Sequence, residues 1–195
     1  MKKTKYPNYD VLGEQAAWDD TTRSIVLSRT EADFTYEYLT LVEAEMLRAL
    51  CSMLAGDTRA DVIQFVLQHI DQTVNGPTPE SERGTTVPRA AELIRTGLKL
   101  IDQWCLTTFS RPLIDLTESE QYSIVSDLSE DKLPLADPAF PQKALFRRLL
   151  SWTVESYYSH PTVWSEIGYG GPAYPRGYVR TQIGQLDPWE AKPEP

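Results

Sequence analysis

Hydrophobic positions recur with a helical period along most of the chain from Leu39 onward. Two consecutive stripes have apolar residues at the spacing i, i+3, i+4 and i+7, separated by the turn-forming pair Gly56-Asp57. A capping box formed by Thr40 and Glu43 precedes the first stripe. The pattern predicts two amphipathic helices packed antiparallel, with these residues on their apolar faces: Leu47, Leu50, Cys51 and Leu54, then Val62, Phe65, Val66, His69 and Ile70.

Three further helices are predicted downstream. The longest is expected to run from about Pro88 to Phe109, and a shorter one begins at a second capping box, Thr117 with Glu120. The last, roughly Gln142–Tyr158, has apolar residues on most sides, which is typical of a central and largely buried helix. The segment from Asn75 to Pro88 is rich in Gly, Pro and Thr, which indicates an irregular loop.

Strand patterns are rare in this sequence. The best candidate, Ser24–Ser28, has no partner of alternating pattern. We therefore predict an all-α fold with about five helices in an irregular orthogonal bundle. Residues 39–158 are expected to form the helical core, and residues 1–38 and 159–195 are expected to be extended N- and C-terminal arms wrapped on it within a single domain.

Composition and charge narrow the classes of function. The 195 residues carry a formal net charge of −9, which disfavours nucleic acid and anionic membrane surfaces as partners. No apolar stretch approaches the eighteen or so residues of a membrane span, so no transmembrane segment is expected. The basic N-terminus lacks the apolar run of a secretory signal and has no twin-arginine motif, so we expect a cytoplasmic protein.

Catalytic and cofactor motifs are scarce. A flavin or dinucleotide fold needs a strand, a Gly-x-Gly-x-x-Gly turn and a helix in succession, and Gly168–Pro172 has neither the spacing nor the flanking elements. We interpret His69 as a core residue of its helix. His160 is expected to contact the terminal carbonyls of the helix that ends there. The two histidines lack carboxylate neighbours at metal-binding spacing, so no metal site is predicted.

The remaining polar candidates have structural interpretations. The carboxylate pairs, Asp19 with Asp20 and Glu118 with Glu120, lie among other polar residues and are interpreted as solvated surface. The two cysteines occur inside helical patterns without metal-binding spacing. We predict that both are reduced residues of the core: Cys51 and Cys105.

The segment Ser159–Arg180 differs from the rest of the chain. It is rich in Gly, Pro and aromatic residues, and its charge sums to +1 against −10 for the remainder. Aromatic residues with Arg are enriched at interface hot spots, so the segment predicts either a docking surface or a tail that covers the protein's own core.

The same segment carries a long motif, and the chain resembles the gluconate 2-dehydrogenase subunit 3 family through it. The motif is Tyr158-x-His160-Pro161-x-x-Trp164-x-Glu166-Ile167-Gly168-Tyr169-Gly170-Gly171-Pro172-Ala173-x-Pro175-Arg176-Gly177-Tyr178-Val179-Arg180. Further matching pieces are Tyr9–Leu12, Trp18-Asp19 with Thr22-Arg23, Ile70-Asp71, and Asp187–Ala191.

The resemblance implies a small, non-catalytic accessory subunit of a large FAD-dependent dehydrogenase of the glucose-methanol-choline (GMC) class, which oxidises a sugar or a sugar acid such as gluconate. FAD and the catalytic residues would belong to the large subunit, so no cofactor is expected in this chain. Many relatives carry a twin-arginine signal, whereas this sequence shows no such motif, and this departure puts export of this protein in question. The predicted partner interface consists of Trp164, Glu166, Tyr169, Gly170, Gly171, Tyr174, Arg176, Tyr178 and Arg180.

Two other hypotheses are compatible with the residues. A stand-alone enzyme would use His160, Glu166 and Tyr169 in a cleft beneath the Gly-rich loop. A structural homo-oligomer would need a large self-interface and no second gene product.

Overall fold

The computed structural model describes residues 4–31, 33–76 and 87–194. Within these ranges every regular element is helical, which confirms the all-α class. The α-helices are α1 (Asp20–Ser28), α2 (Leu41–Ala55), α3 (Ala60–Asn75), α4 (Ala90–Phe109), α5 (Glu118–Glu130), α6 (Gln142–Tyr157) and α7 (Pro161–Ile167), and two 3-10 segments span Val11–Ala17 and Leu113–Asp115.

The predicted number of about five helices is wrong, because two short α-helices lie in the segments expected to be extended arms. The strand candidate Ser24–Ser28 is the second half of α1, which begins at the N-cap Asp19, whose side chain accepts a hydrogen bond from the Thr22 amide at 2.6 Å. Local capping decides its conformation, since the described residues contain no strand with which the segment could pair. Helix α7 begins directly after α6, at Pro161.

The helices predicted from periodicity are present with close boundaries. Both capping boxes form: Thr40 with Glu43 opens α2, and Thr117 with Glu120 opens α5. With 20 residues, α4 is the longest helix among the described residues, as expected. Residues 77–86, which make up most of the predicted irregular loop, lie outside the described ranges.

The described residues form two compact units. The helical unit is Phe34–Ser156 and contains α2 to α5 and most of α6. The terminal unit joins the described residues of Met1–Asp33 to those of Tyr157–Pro195 and contains α1 and α7. The two predicted arms therefore pack on each other.

The core of the helical unit is built around α2, which packs against α3, α4 and α5. Gly97 lets α4 approach α6 closely, because a Cβ at this position would collide with Leu145. The largest fully buried side chains of α2, α3 and α4 are aliphatic: Leu47, Leu50, Ile63, Leu67, Ile70, Leu93, Ile94, Leu98 and Ile101. Their burial is the main stabilisation of the unit.

One buried carboxylate organises the segment before α2. Asp71 of α3 is fully buried and accepts hydrogen bonds from the backbone amides of Glu37, Tyr38 and Leu39 at 2.8 to 3.0 Å. These donors supply the partners that a buried charge requires. The position of Asp71 thus sets the path by which the chain enters α2.

Candidate partner interface

The terminal unit has a small core of its own. Val11, Trp18, Val26 and Trp164 are buried together, and the side chains of Tyr9 and Leu12 pack against them. Residues from both ends of the sequence therefore contribute to one hydrophobic cluster.

Trp164 of the predicted interface faces this core. Its side chain is only 5% exposed, and its indole N–H donates to the carbonyl of Tyr158 at 2.5 Å. The indole meets the ring of Tyr169 edge to face, with 5.3 Å between centroids. Trp164 is therefore part of the core of the terminal unit, and the Tyr169 ring that packs on it is partly exposed.

His160 contacts both the end of α6 and the start of α7. The predicted contact with a terminal carbonyl of α6 is made by the backbone, since the His160 amide donates to the carbonyl of Tyr157 at 3.2 Å. The side chain was not expected to cap α7, where its Nδ1 accepts from the Thr162 amide at 3.2 Å and where Pro161 suits the first turn. His160 is buried.

The Gly-Gly turn after α7 allows close packing within the terminal unit. A Cβ at Gly170 would lie 2.8 Å from the Trp189 ring, and one at Gly171 would lie 2.9 Å from the Trp18 ring. Gly171 also has a φ of +77°, which favours glycine. Both predicted interface glycines are therefore buried, and each allows the backbone to pack directly against a tryptophan ring.

Arg176 is the most extensively bound residue of the predicted interface. Its side chain is 5% exposed, and Nη2 donates to the carbonyls of Gly170 and Pro172 at 2.6 and 3.1 Å. The guanidinium lies over the Trp189 ring, 4.5 Å from its centroid, and Nη1 is 3.8 Å from a carboxylate oxygen of Glu14. Arg176 thus ties the Gly-Gly turn to residues from both ends of the sequence.

Asp187 closes the loop that follows. It is buried, and its Oδ1 accepts from the amides of Val179 and Arg180 at 2.8 and 2.7 Å. Its own amide donates to Glu190 at 2.9 Å. The exposed guanidinium of Arg180 lies 3.7 Å from the same Glu190. These bonds give a role to the Asp187–Ala191 piece noted in the sequence.

Residues 174–186, which we name the docking loop, carry several of the exposed apolar side chains of the terminal unit. Tyr174 and Tyr178 are each 68% exposed, and Ile183 is fully exposed. Ile183 lies in a turn closed by a hydrogen bond from the Gln185 amide to the Gln182 carbonyl at 3.2 Å. Two neighbours extend the exposed surface: Val179 and Leu186.

The structure separates the nine predicted interface residues by environment. Four are internal and make the contacts described above: Trp164, Gly170, Gly171 and Arg176. Three point outward: Tyr174, Tyr178 and Arg180. Tyr169 is partly exposed, and Glu166 is half-buried, with its backbone carbonyl accepting from Thr4 Oγ1 at 2.6 Å.

Ile183 and Leu186 were missed because the sequence motif was taken to end at Arg180. A signal was nevertheless present. Ile183 is a single β-branched residue between Gln182 and Gly184, in a stretch that otherwise has the composition of a turn. An apolar side chain in a polar turn has no core to enter and is therefore a candidate for a contact with another molecule.

Burial raises the pKa of several phenol and thiol groups. The pKa of Tyr9, whose hydroxyl donates to the Trp189 carbonyl at 2.8 Å, is raised to about 12, mainly by burial. Burial, followed by the neighbouring phenol of Tyr178, raises the pKa of Tyr169. Both cysteines are free and buried, and burial raises the pKa of Cys51 to about 11 and that of Cys105 to about 12. The prediction of reduced core thiols is confirmed, and such thiols are poor nucleophiles at neutral pH.

A surface groove of about 510 Å³ lies on the helical unit. The cationic residue in its wall, Arg48, is bound to Glu45 at 3.2 Å and to Gln64 at 2.7 Å. Over the described ranges no group of three His, Cys, Asp or Glu side chains is arranged to hold a metal ion. Nor does any helix in those ranges have the length and apolarity to cross a membrane.

The family model described as gluconate 2-dehydrogenase subunit 3 matches residues 42–171. The chain belongs to the gluconate 2-dehydrogenase subunit 3 family. Comparisons with curated proteins and with solved structures gave no match. The matched range begins at the second residue of α2, includes α3 to α7 and ends at Gly171, so the docking loop lies outside the matched residues.

Proposed function

We propose that this protein is a non-catalytic accessory subunit that docks on a large FAD-dependent dehydrogenase of the GMC class and stabilises or matures it. The observation that carries the proposal is membership of a family named as a subunit of gluconate 2-dehydrogenase. The large subunit would hold FAD and the catalytic residues, and the complex would oxidise a sugar or a sugar acid such as gluconate.

The architecture of the terminal unit supports a role in binding. Trp164 and Arg176 make internal contacts. Tyr174 and Tyr178, two residues before and two residues after Arg176, are exposed. Large aromatic residues on a constrained backbone contribute binding area with a small loss of conformational entropy.

Mass action explains how a subunit that catalyses no reaction can stabilise the large subunit. A partner that binds only the folded large subunit stabilises it by about 2.7 kcal/mol when present at a hundred times its Kd. Such a gain is a large fraction of the free energy of unfolding of a typical protein.

Co-expression tests the proposal. A GMC-type dehydrogenase from the same genome would be produced with this chain and, as a control, with an empty vector. We expect a larger soluble yield of the flavin-bound large subunit and a hetero-complex by size exclusion with light scattering. Separate elution of the two proteins, with an unchanged yield, would contradict the proposal.

The remaining features of the complex stay predictions. Flavin analysis of the separated subunits tests the assignment of FAD to the large subunit. Cell fractionation tests the cytoplasmic location. Activity on gluconate and on other sugars, measured with the purified complex, identifies the substrate.

A further inference from the structure

We infer that the docking loop, residues 174–186, is the surface that inserts into the large subunit, with Ile183 as its apolar anchor. The inference rests on the proposed function and names the part of the chain that makes the contact. It moves the centre of the interface away from Trp164 and Arg176, which are buried in the terminal unit.

The loop exposes apolar side chains that no other described residue covers. Ile183 is fully exposed at the end of the loop, and the side chains of Tyr174 and Tyr178 are more than half exposed on the same loop. Removal of such side chains from water is the main favourable term in protein association. Anchors of this kind, an aliphatic or aromatic group seated in a pocket, dominate the affinity of interfaces.

The backbone of the loop is held in place before any partner arrives. Asp187 accepts from the amides of Val179 and Arg180 at its outgoing end, and Arg176 binds the carbonyls of Gly170 and Pro172 at its incoming end. Gly184, with a φ of +81°, supplies the positive φ that the turn after Ile183 requires. A preorganised loop loses less conformational entropy on binding, which favours recognition by a folded partner.

The charge of the loop indicates which kind of partner it fits. Residues 174–186 contain two arginines and no acidic residue, so the loop carries +2 and the rest of the chain carries −11. Arg176 is buried beside Glu14, so the exposed cation of the loop is Arg180, whose side chain is about half exposed and lies 3.7 Å from Glu190. The loop is therefore complementary to an apolar pocket with carboxylate or carbonyl oxygens at its rim.

The same charge pattern disfavours a second copy of this chain as the occupant. A two-fold contact centred on the loop would place the exposed Arg180 of one copy against the Arg180 of the other. A contact between the loop and the acidic remainder of another copy would be head to tail, which gives open chains unless the geometry closes a ring. Neither argument applies to the large subunit, because its surface differs from that of this chain.

The test compares matched surface variants in a titration against the purified large subunit. Ile183→Asp removes the proposed anchor, and Val42→Asp is the control, because Val42 is also an exposed β-branched residue but lies on α2. Tyr178→Ser and Tyr122→Ser form a second pair, both residues being about two-thirds exposed. We expect Ile183→Asp to raise the Kd at least about tenfold, equivalent to ~1.4 kcal/mol, with the melting temperature of the free chain unchanged and with wild-type affinity in both controls.

Each outcome has a defined meaning. Wild-type affinity in both Ile183→Asp and Tyr178→Ser would overturn the inference while leaving the accessory role intact. Failure of the wild-type chain to bind the large subunit would overturn the proposed function itself. A wild-type homo-oligomer that Ile183→Asp converts to a monomer, by light scattering, would assign the loop to a second copy and so overturn the choice of partner.

Discussion

At the scale of single residues, the guanidinium of Arg176 connects three parts of the terminal unit. It binds the carbonyls of Gly170 and Pro172, lies over Trp189 and is close to Glu14. Because the side chain is buried, its loss leaves carbonyl groups without their donor and removes packing on an indole. Arg176 therefore belongs to the framework that holds the docking loop.

Replacement of Arg176 tests this role in the free chain. Arg176→Ala is expected to lower the free energy of unfolding by about 1 to 3 kcal/mol, the usual cost of leaving buried polar groups unpaired. Arg180→Ala is the matched control, since half of that side chain is exposed and its nearest carboxylate is 3.7 Å away. Denaturant titration of the isolated protein measures both. If Arg176→Ala and the wild type had equal stability, the proposed structural role of Arg176 would be contradicted.

At the scale of elements, side-chain caps fix where four of the described α-helices begin. Asp19 caps α1, Thr40 caps α2, Thr117 caps α5 and His160 caps α7. In two of these cases the carboxylate of the glutamate three residues later accepts a hydrogen bond from the amide of the cap residue. Backbone donors at a helix start have no partner within the helix, so these side chains determine the boundary.

The cap of α5 offers a direct test of this point. Thr117→Ala should lower the free energy of unfolding by about 1 kcal/mol, because the Glu120 amide loses its acceptor. Ser119→Ala in the same first turn is the control, since Ser119 is exposed and makes no cap. Thermal denaturation of the two variants would contradict the assignment if Ser119→Ala were as destabilising as Thr117→Ala.

At the scale of the whole molecule, buried thiol and phenol groups make the stability of the fold sensitive to alkaline pH. Cys51 and Cys105 lie in the helical unit, and Tyr9 lies in the terminal unit. Burial disfavours the ionised form, so each group has a higher pKa in the folded state than in the unfolded chain. The unfolded state therefore loses its protons first as the pH rises.

Below pH 9, ionisation of these groups should not change the free energy of unfolding. Above pH 9, it should lower the free energy of unfolding progressively. The Cys51 thiol contributes to the decline between its pKa of 9.0 in the unfolded chain and its pKa of about 11 in the folded state. The Tyr9 phenol contributes between a pKa of 10.0 in the unfolded chain and about 12 in the folded state. Urea titrations from pH 7 to 10.5 would show the decline, and Cys51→Ser would remove part of it. A free energy of unfolding that stays flat across this range in the wild type would contradict the burial of these groups.

Periodicity and local chemistry determined much of this protein from the sequence alone. The helical stripes, both Thr-Glu capping boxes and the all-α class depend on contacts within a few residues, which a single sequence displays. The family motif was likewise visible in the residues from Tyr158 onward. The residues of this motif do not identify the substrate.

Only the tertiary structure decided which residues of the C-terminal segment face inward and that the two termini form one unit. Trp164 and Tyr178 are both aromatic residues of the C-terminal motif, but Val11 and Trp18, more than a hundred residues away in sequence, bury the first, while the second stays exposed. The same distant contacts turn Gly170 and Gly171 into spacers for Trp189 and Trp18. Burial is set by long-range packing, which local sequence patterns do not encode, and it is burial that places Ile183 rather than Trp164 at the surface.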